Sequence, residues 1–493
     1  MNLKEILKRC KSKMTISNFS DFVVNDISIN SKEVKKKFIF GAIKGFSVNG
    51  EKFVTDLLEI EKLAIIVSES SDINIDFNHC KGIVLVKANN VRELVSEIAS
   101  IMYPNSIKSK LAVTGTNGKT SIVNYTHQLW QMVGIDSASF GTLGLKYKNK
   151  YLNKKGLTTP ESINNHKNLN KLSKSGCAKV VYEASSIGLD QKRLYPIKFD
   201  VVAFSNLSID HLDYHKSLEN YKYSKTLLFS DYTKKNSIAV INSDSESSKY
   251  FLRICSKFNL KIMDYGKKAG FLKIKSMKRF DNFFKLTIEF NNRVIEKKLN
   301  CCSEFEIYNR LCALLLAFNK DLKYSHFNLI CKLKNPSGRL EKIYDKKKIR
   351  VYIDYAHTPD ALSNVLSSLR KITTGKLILV FGCGGDRDNT KRNIMTEEAL
   401  KYSDLIIITD DNPRFENPRK IRNDMLHGIT KERIKKIKNI GNRSKAIKLA
   451  IKTLKTNDLL LIAGKGHENY QIIKDKKILF NDKKTAKRFL EER

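Results

Sequence analysis

The chain has 493 residues, with 90 Lys and Arg against 51 Asp and Glu, and a formal net charge of +39. That length admits several buried cores and points to three domains, which excludes a small stapled scaffold. The nine cysteines are scattered with no Cys-x-x-Cys pair, so they read as reduced thiols rather than a disulfide framework or zinc site.

The N-terminus, Met1-Asn2-Leu3-Lys4-Glu5-Ile6-Leu7-Lys8, lacks the apolar core of a signal peptide. Its basic, amphipathic character resembles an organelle presequence, but Glu5 argues against one. No run approaches the roughly 20 apolar residues of a membrane span. The expectation is a soluble, cytoplasmic protein with no membrane span. The charge raises nucleic-acid binding as a class. The lysines, however, are spread along the chain among Asn and Ile, as in Asn149-Lys150-Tyr151-Leu152-Asn153-Lys154-Lys155. That reads as compositional drift and a solvated surface that favours anionic substrates, with no nucleic-acid partner.

In chain order, Phe38 to Ala42, Ala64 to Val67 and Gly82 to Val86 read as strands, and Val91 to Met102 as a helix. The short run Leu111-Ala112-Val113 then leads into Gly115-Thr116-Asn117-Gly118-Lys119-Thr120 and a helical stretch from Ser121. Glycines let backbone N–H groups turn inward around phosphate, Lys119 can reach terminal phosphates, and the Thr120 hydroxyl suits Mg2+. The hexapeptide reads as a phosphate loop for a nucleoside triphosphate. Val113 occupies the position where the full Walker pattern wants its first glycine, so Gly-Lys-Thr is also compatible with an ordinary strand-to-helix turn.

Further strands are expected at Lys179 to Tyr182, Val201 to Phe204 and Ile238 to Ile241. Beyond the turn-rich Lys334-Asn335-Pro336-Ser337-Gly338, strands at Val351 to Ile353, Leu377 to Phe381, Leu405 to Ile408 and Leu459 to Ile462 alternate with helices such as Asp360 to Lys371 and Ser444 to Leu454. The fold class is α/β, in three domains. A first unit covers residues 1–108. A central unit, 109–334, has a P-loop-type, mostly parallel sheet with helices on both faces. A doubly wound, Rossmann-like unit covers 335–493. In such sheets ligands sit beyond the C-terminal strand ends, where Asp354, Gly382 to Arg387, Asp410 to Arg414 and Gly464 to Glu468 fall.

Glu183 closes the apolar strand Val180-Val181-Tyr182, where a carboxylate facing a phosphate loop can hold Mg2+. Read alone, it is equally a helix cap before the Ser185-Ser186 turn. Asp210, His211, Asp213 and His215 lie within six residues, but no third soft ligand is near. Mg2+ or polar substrate contacts are preferred there to zinc.

Taken together, the motifs resemble those of the Mur ligases, which add amino acids to the UDP-linked muramoyl peptide of bacterial cell walls. They run in order along nearly the whole chain: Thr-Gly-Thr-Asn-Gly-Lys-Thr at 114–120, Glu-Ala-Ser-Ser at 183–186, Asn-Leu-Ser-Ile-Asp-His-Leu-Asp at 206–213, Asn309, Ser-Gly-Arg-Leu-Glu at 337–341 and Asp-Tyr-Ala-His-Thr-Pro at 354–359. Within the family, Asp411-Asn412-Pro413-Arg414 is similar to the signature of members that add meso-2,6-diaminopimelate as the third peptide residue. Diaminopimelate has one carboxylate more than lysine, and an arginine fork binds that group bidentately.

The resemblance implies an ATP site at Gly115, Thr116, Asn117, Gly118, Lys119 and Thr120, completed by Asn309, Arg339 and Asp354. It implies Mg2+ at Thr120, Glu183, His211 and Lys225, with Lys225 carbamylated by CO2 into a carboxylate-like ligand, and roles in the chemistry for Lys119, Lys225 and His211. Read alone, Lys225 is one more surface lysine. The UDP-muramoyl dipeptide is expected at Ile29, Ser31, Phe46, Ser47, Val48, Thr158, Thr159, Ser185, Gln191 and Arg193. Diaminopimelate is expected at Arg387, Asp411, Asn412, Pro413, Arg414, Gly464 and Glu468. The implied enzyme is an ATP-dependent, monomeric amide-forming ligase working through an acyl phosphate, with ADP and phosphate released. A lysine-adding relative, folylpolyglutamate synthetase and a basic P-loop nucleic-acid protein are the rival readings. Lys32, Ile187, Ile209, Ser303 and Glu306 depart from the family pattern.

Overall fold

The computed structural model describes residues 1–45, 48–153, 157–280 and 283–493. Phe46 and Ser47, two of the expected nucleotide-sugar contacts, lie outside the described residues. Three large sheets follow one another along the chain. The first has β1 (Met14–Ser17), β2 (Asp26–Ser28), β3 (Phe38–Gly41), β4 (Leu63–Ser68) and β5 (Ile83–Ala88), in the spatial order β1-β5-β4-β3-β2. Only β1 runs antiparallel to its neighbour. The helix Val91–Met102 caps this sheet, and the Asn90 side chain accepts from Glu93 N–H at its start.

The central sheet contains β6 (Ser109–Thr114), β7 (Ser137–Gly141), β8 (Gly144–Tyr147), β9 (Lys150–Asn153), β10 (Lys179–Glu183), β11 (Phe199–Phe204), β12 (Thr233–Asn242), β13 (Lys261–Gly266), β14 (Leu272–Arg279), β15 (Phe284–Phe290) and β16 (Arg293–Leu299). Its order is β16-β15-β14-β13-β12-β11-β6-β10-β7-β8-β9. The strands from β14 through β12, β11, β6 and β10 to β7 pair in parallel, as expected. Both margins are antiparallel and were not anticipated. The reason is physical: β15 alternates buried and partly exposed residues along Phe284–Phe290, whereas the strands found in sequence are continuous apolar runs buried on both faces.

The third sheet holds β17 (Glu341–Lys346), β18 (Ile349–Asp354), β19 (Leu377–Phe381), β20 (Leu405–Ile408), β21 (Ile437–Asn439) and β22 (Leu459–Ala463), ordered β17-β18-β22-β19-β20-β21. It is parallel except for the edge strand β17. Insertion of β22 between β18 and β19 places the exits of β18, β22, β19 and β20 side by side. A hairpin of β23 (Tyr470–Ile473) and β24 (Lys476–Leu479) follows.

The helix Lys119–Met132 packs on the helix Glu304–Phe318 over one face of the central sheet. Trp130 is fully buried there, and its indole N–H donates to the Ala317 carbonyl at 3.0 Å. A buried side chain of this kind contributes roughly 1.5–3 kcal/mol through apolar area removed from water. Ser303 and Glu306 form a complete capping box at the start of Glu304–Phe318, so these two family departures serve the helix end.

Candidate active site

The phosphate loop connects β6 to the helix Lys119–Met132, and its shape follows from its glycines. Gly115 has φ 151° and Gly118 φ 90°, both in a region that L side chains rarely adopt. A Cβ at Gly115 would collide with Ser205 Oγ, and one at Gly118 with Asn309 Oδ1. Gly118 is also the helix N-cap and brings no side chain to satisfy the first-turn N–H groups, the arrangement that anions exploit.

Register explains why distant motifs meet here. β10 lays Glu183 beside Val113, and β11 lays Phe204 beside Thr114, so Glu183 and Ser205 emerge on either side of the loop. Thr116 N–H donates to the Asn206 carbonyl and Asn117 N–H to Asn206 Oδ1, each at 2.9 Å. Thr116 Oγ1 accepts from Ser208 N–H at 3.0 Å and lies 3.0 Å from the Tyr221 hydroxyl. The segment 205–208 thus holds the loop open.

Glu183 is buried and pinned. Its Oε1 accepts from Thr142 N–H at 2.9 Å, while its Oε2 accepts from the hydroxyls of Thr142 at 3.0 Å and Thr120 at 2.9 Å. Burial raises its pKa, against the opposing pull of Arg339 and Lys119. Arg339, arriving from the third unit, donates through Nη2 to Thr120 Oγ1 at 3.0 Å, and its guanidinium lies 4.5 Å from the centroid of the Tyr355 ring. Asp354 sets that approach from behind: it accepts from Leu340 N–H at 2.6 Å and Ala356 N–H at 2.7 Å, fixing the backbone next to Arg339.

Lys119 Nζ donates to the carbonyls of Gly115 at 2.7 Å and Thr116 at 2.8 Å, so it lies folded within its own loop. Lys225 is 1 % exposed and donates to the same Gly115 carbonyl at 3.0 Å, with its ammonium 4.2 Å from the centroid of the Tyr221 ring. It is no surface lysine. Burial, reinforced by the nearby Lys119 charge, pushes its pKa well below the ordinary lysine value. His211 is exposed, with Nε2 3.5 Å from Asp210 Oδ2. Asn309 is buried against Gly118.

The oxygen donors of Thr120 and Glu183 suit a hard cation. Among the described residues no group of three or more His, Cys, Asp or Glu side chains could cage a metal. Mg2+ fits regardless, because it keeps waters and phosphate oxygens and needs one or two protein oxygens. Zinc does not fit.

Thr158, Thr159, Ser185, Gln191 and Arg193 form one network beside Glu183. Thr158 and Thr142 hydroxyls lie 3.1 Å apart, Thr159 Oγ1 accepts from Ser185 N–H at 2.9 Å, and Arg193 donates to Gln191 Oε1 at 2.7 Å and to the Thr159 carbonyl at 3.1 Å. Ile29 and Ser31 are partly buried and Val48 is exposed in the first unit. That unit meets the second through Lys167 on Asp26 at 2.6 Å and Tyr195 on Glu97 at 3.0 Å.

In the third unit, Asp411 to Arg414 leave β20 and Gly464 to Glu468 leave β22, on the other side of β19. Asn412 Nδ2 donates to Glu468 Oε2 at 3.0 Å. Arg414 has φ 52°, and its Nη1 donates to the Gly385 carbonyl at 2.7 Å. Arg387 is exposed nearby: a Cβ on Gly384 would meet both Arg414 and Arg387, and the Arg387 charge disfavours the Arg414 cation, as burial does more strongly. Two guanidinium groups thus stand together beside two carboxylates, Asp411 and Glu468. This loop also touches the phosphate side, since a Cβ on Gly338 would overlap His467 N.

Sequence reasoning gave no role to Asp360, Thr142 or Tyr221, and reached Lys465 only as part of the stretch Gly464 to Glu468. Asp360 accepts from Asn117 Nδ2 at 2.8 Å and Ser208 Oγ at 3.1 Å, joining the first turn of the helix Pro359–Arg370 to the phosphate loop. Its position after Pro359 signals only a helix start. Of the remaining departures, Ile209 is 64 % exposed and Lys32 N–H serves the Asn30 cap.

Comparison with known proteins agrees with this geometry. Residues 113–317 match the model of the Mur ligase middle domain, and residues 338–466 that of the Mur ligase, glutamate ligase domain. The chain is 39% identical over 476 residues to the UDP-N-acetylmuramoyl-L-alanyl-D-glutamate--2,6-diaminopimelate ligase of Rickettsia montanensis, covering 95% of this chain and 96% of that protein. It is 38% identical over 492 residues to the ligase of the same name from Aquifex aeolicus (strain VF5), covering 99% and 95%. A solved structure of a protein with that name superimposes with a TM-score of 0.65 at 30% identity, covering 95% of each chain. With its phosphate loop, its buried glutamate and its paired third-unit loops all falling inside these matches, the chain belongs to the Mur ligase family.

Proposed function

We propose that this protein is an ATP-dependent ligase that joins meso-2,6-diaminopimelate to UDP-N-acetylmuramoyl-L-alanyl-D-glutamate. The observation that carries the reading is the junction of two chemistries at Arg339. The arginine donates to Thr120 on the phosphate loop, while the adjacent Gly338 packs against the loop bearing Glu468. A phosphate-handling site and a site with paired cations and anions, suited to an amino acid of two carboxylates and two ammonium groups, therefore share one wall. The names of the full-length relatives support the same substrates.

In this reading residues 109–334 bind ATP, 1–108 with Thr158, Thr159, Ser185, Gln191 and Arg193 bind the nucleotide-linked dipeptide, and 335–493 bind diaminopimelate. The N–H groups of Gly115 to Thr120 and the Lys119 ammonium take the triphosphate, and Asn309 lies at its nucleoside side. A γ-carboxylate oxygen of D-glutamate attacks the γ-phosphorus, ADP leaves with the bridging oxygen, and an acyl phosphate forms. Arg339 and Lys119 stabilise charge on the transferring phosphoryl group. The neutral amine of diaminopimelate then attacks the acyl carbon, phosphate departs, the amine sheds its proton, and the amide remains.

Thr120 and Glu183 would hold Mg2+, with His211 and Lys225 completing its surroundings. The cation supplies charge neutralisation on the phosphate oxygens. Lys225 gains a role from its burial. Burial favours the neutral amine, the form that is nucleophilic toward CO2, and the carbamate formed would turn a buried cation into an anionic oxygen ligand.

The test is phosphate release from ATP with the UDP-muramoyl dipeptide present, measured without amino acid, with diaminopimelate and with lysine. Strong stimulation by diaminopimelate alone is expected. A preference for lysine would instead make this a lysine-adding ligase, and the absence of stimulation by either amino acid would sink the assignment.

A further inference from the structure

Lys465 is fully buried, which is unusual for a lysine, and the sequence pattern assigned it no contact of its own. Its Nζ donates to Glu468 Oε2 at 2.8 Å and to Asn412 Oδ1 at 2.9 Å, and stands 3.7 Å from Asp411 Oδ1. Asn412 Nδ2 closes the ring on the same Glu468 oxygen at 3.0 Å. Asn412 Oδ1 also accepts from Ile472 N–H at 3.0 Å, tying the ring to β23. One ammonium, a compact three-donor point charge, therefore laces the loop leaving β20 to the loop leaving β22.

The backbone is built to bury this lysine. Gly464 has φ 107° and Gly466 φ 52°, so the residues on both sides of Lys465 take left-handed turns. A Cβ on Gly464 would come 2.7 Å from Asp411 Oδ2, and one on Gly466 2.8 Å from both the Gly338 carbonyl and Tyr355 Cβ. Behind them, the fully buried Arg443 pairs with Asp482 and donates to the Ala463 carbonyl at 2.8 Å, securing the strand end from which the loop starts.

We propose that Lys465 is a positioning residue that sets amino-acid specificity, by holding Glu468 and Asn412 in register for the distal ammonium and carboxylate of the substrate. The inference rests on the ligase reading above. By engaging Glu468 Oε2, Lys465 and Asn412 leave Oε1, which has no protein donor among the described residues, for a substrate ammonium. Without the lysine charge, Glu468 and Asp411 repel each other and Glu468 is free to rotate, so the recognition of the distal amino group is lost first.

The experiment compares the full-length wild type, Lys465→Met and Lys465→Arg with diaminopimelate and with 2-aminopimelate, which lacks only the distal amino group. In Lys465→Met the KM for diaminopimelate should rise by about tenfold or more, with the KM values for ATP and the nucleotide dipeptide moving by less than about twofold. The kcat/KM preference for diaminopimelate over 2-aminopimelate should fall by a similar factor, and Lys465→Arg should recover most of it. A preference unchanged in folded Lys465→Met, or KM values that rise together for all three substrates, would overturn the inference. Should Lys465→Met fail to fold, Lys465→Gln, which removes the charge but retains a donor, reads the same preference. Wild-type protein that ignores diaminopimelate altogether would refute the ligase reading, and the inference with it.

Discussion

Arg339 donates through Nη2 to Thr120 Oγ1 at 3.0 Å, across 219 positions of the chain. The same hydroxyl donates its own hydrogen bond to Glu183 Oε2 at 2.9 Å. An arginine from the third unit thus reaches a buried carboxylate of the second through one threonine, so this chain of contacts exists only when both units are together.

In the proposed reaction, replacing Arg339 with Ala removes a donor from beside the transferring phosphoryl group. The expected result is a fall in kcat of about 10²–10³-fold, the usual consequence of losing one preorganised electrostatic contact. Lys at this position should not restore the rate, because a point charge cannot keep both the threonine contact and the stacking on Tyr355. Phosphate-release kinetics of Arg339→Ala and Arg339→Lys check both statements.

Glu183→Gln should stabilise the free protein while abolishing ligation. Burial raises the folded pKa of Glu183 above its ordinary value of 4.5. The stability from its protonated form is present in full below that value and is lost as pH rises through the folded pKa, so toward neutral pH this buried carboxyl is a cost. Gln keeps an oxygen for Thr142 N–H and carries no charge. A gain of ~1 kcal/mol at pH 7, shrinking toward pH 4, is expected in denaturant unfolding. An unchanged or lower stability would contradict the burial argument.

Lys225→Met is predicted to flatten the alkaline limb of the stability profile. The folded pKa of Lys225 lies well below 10.5, chiefly through burial and then through Lys119, with Asp210 opposing. Between the folded and unfolded values the unfolded chain binds the extra proton, so stability climbs with pH across that window. The wild type should show the climb and the methionine variant less of it. Activity of the variant should fall by more than about 10²-fold if Lys225 is a metal-site residue, and stripping CO2 from the assay should slow the wild type alone.

Asp360→Ala tests the contact between the third unit and the tip of the phosphate loop. The side chains involved are partly solvent-exposed, so folding stability should change by less than about 0.5 kcal/mol. The KM for ATP should rise by roughly fivefold, about 1 kcal/mol. Unfolding curves and ATP titrations separate the two effects.

The α/β class, the parallel strands and the family were legible because buried parallel strands are continuous apolar runs and because phosphate loops need glycine at fixed spacings. Glu183 could not be distinguished from a helix cap in sequence. The parallel register of β10 against β6 sets it beside Val113, under the loop. Lys225 was one lysine among many until the helix Leu218–Ser230 carried it into the interior beside Gly115. The antiparallel margins escaped notice because their alternating, lysine-rich strands resemble loops in a basic chain.

The amino-acid sequence alone determined the groups available to this protein: a glycine-turned loop of the kind that binds phosphate, a carboxylate at a strand end, and an arginine in a loop beyond another strand end. These depend on local backbone conformation and side-chain type, which a short stretch of chain encodes. Tertiary structure alone decided which of these groups act together. Asp360 on the phosphate loop, Arg339 over Thr120 and Lys465 between two loops are all set by sheet register and strand order. Those are outcomes of long-range pairing and burial, and no single segment contains them.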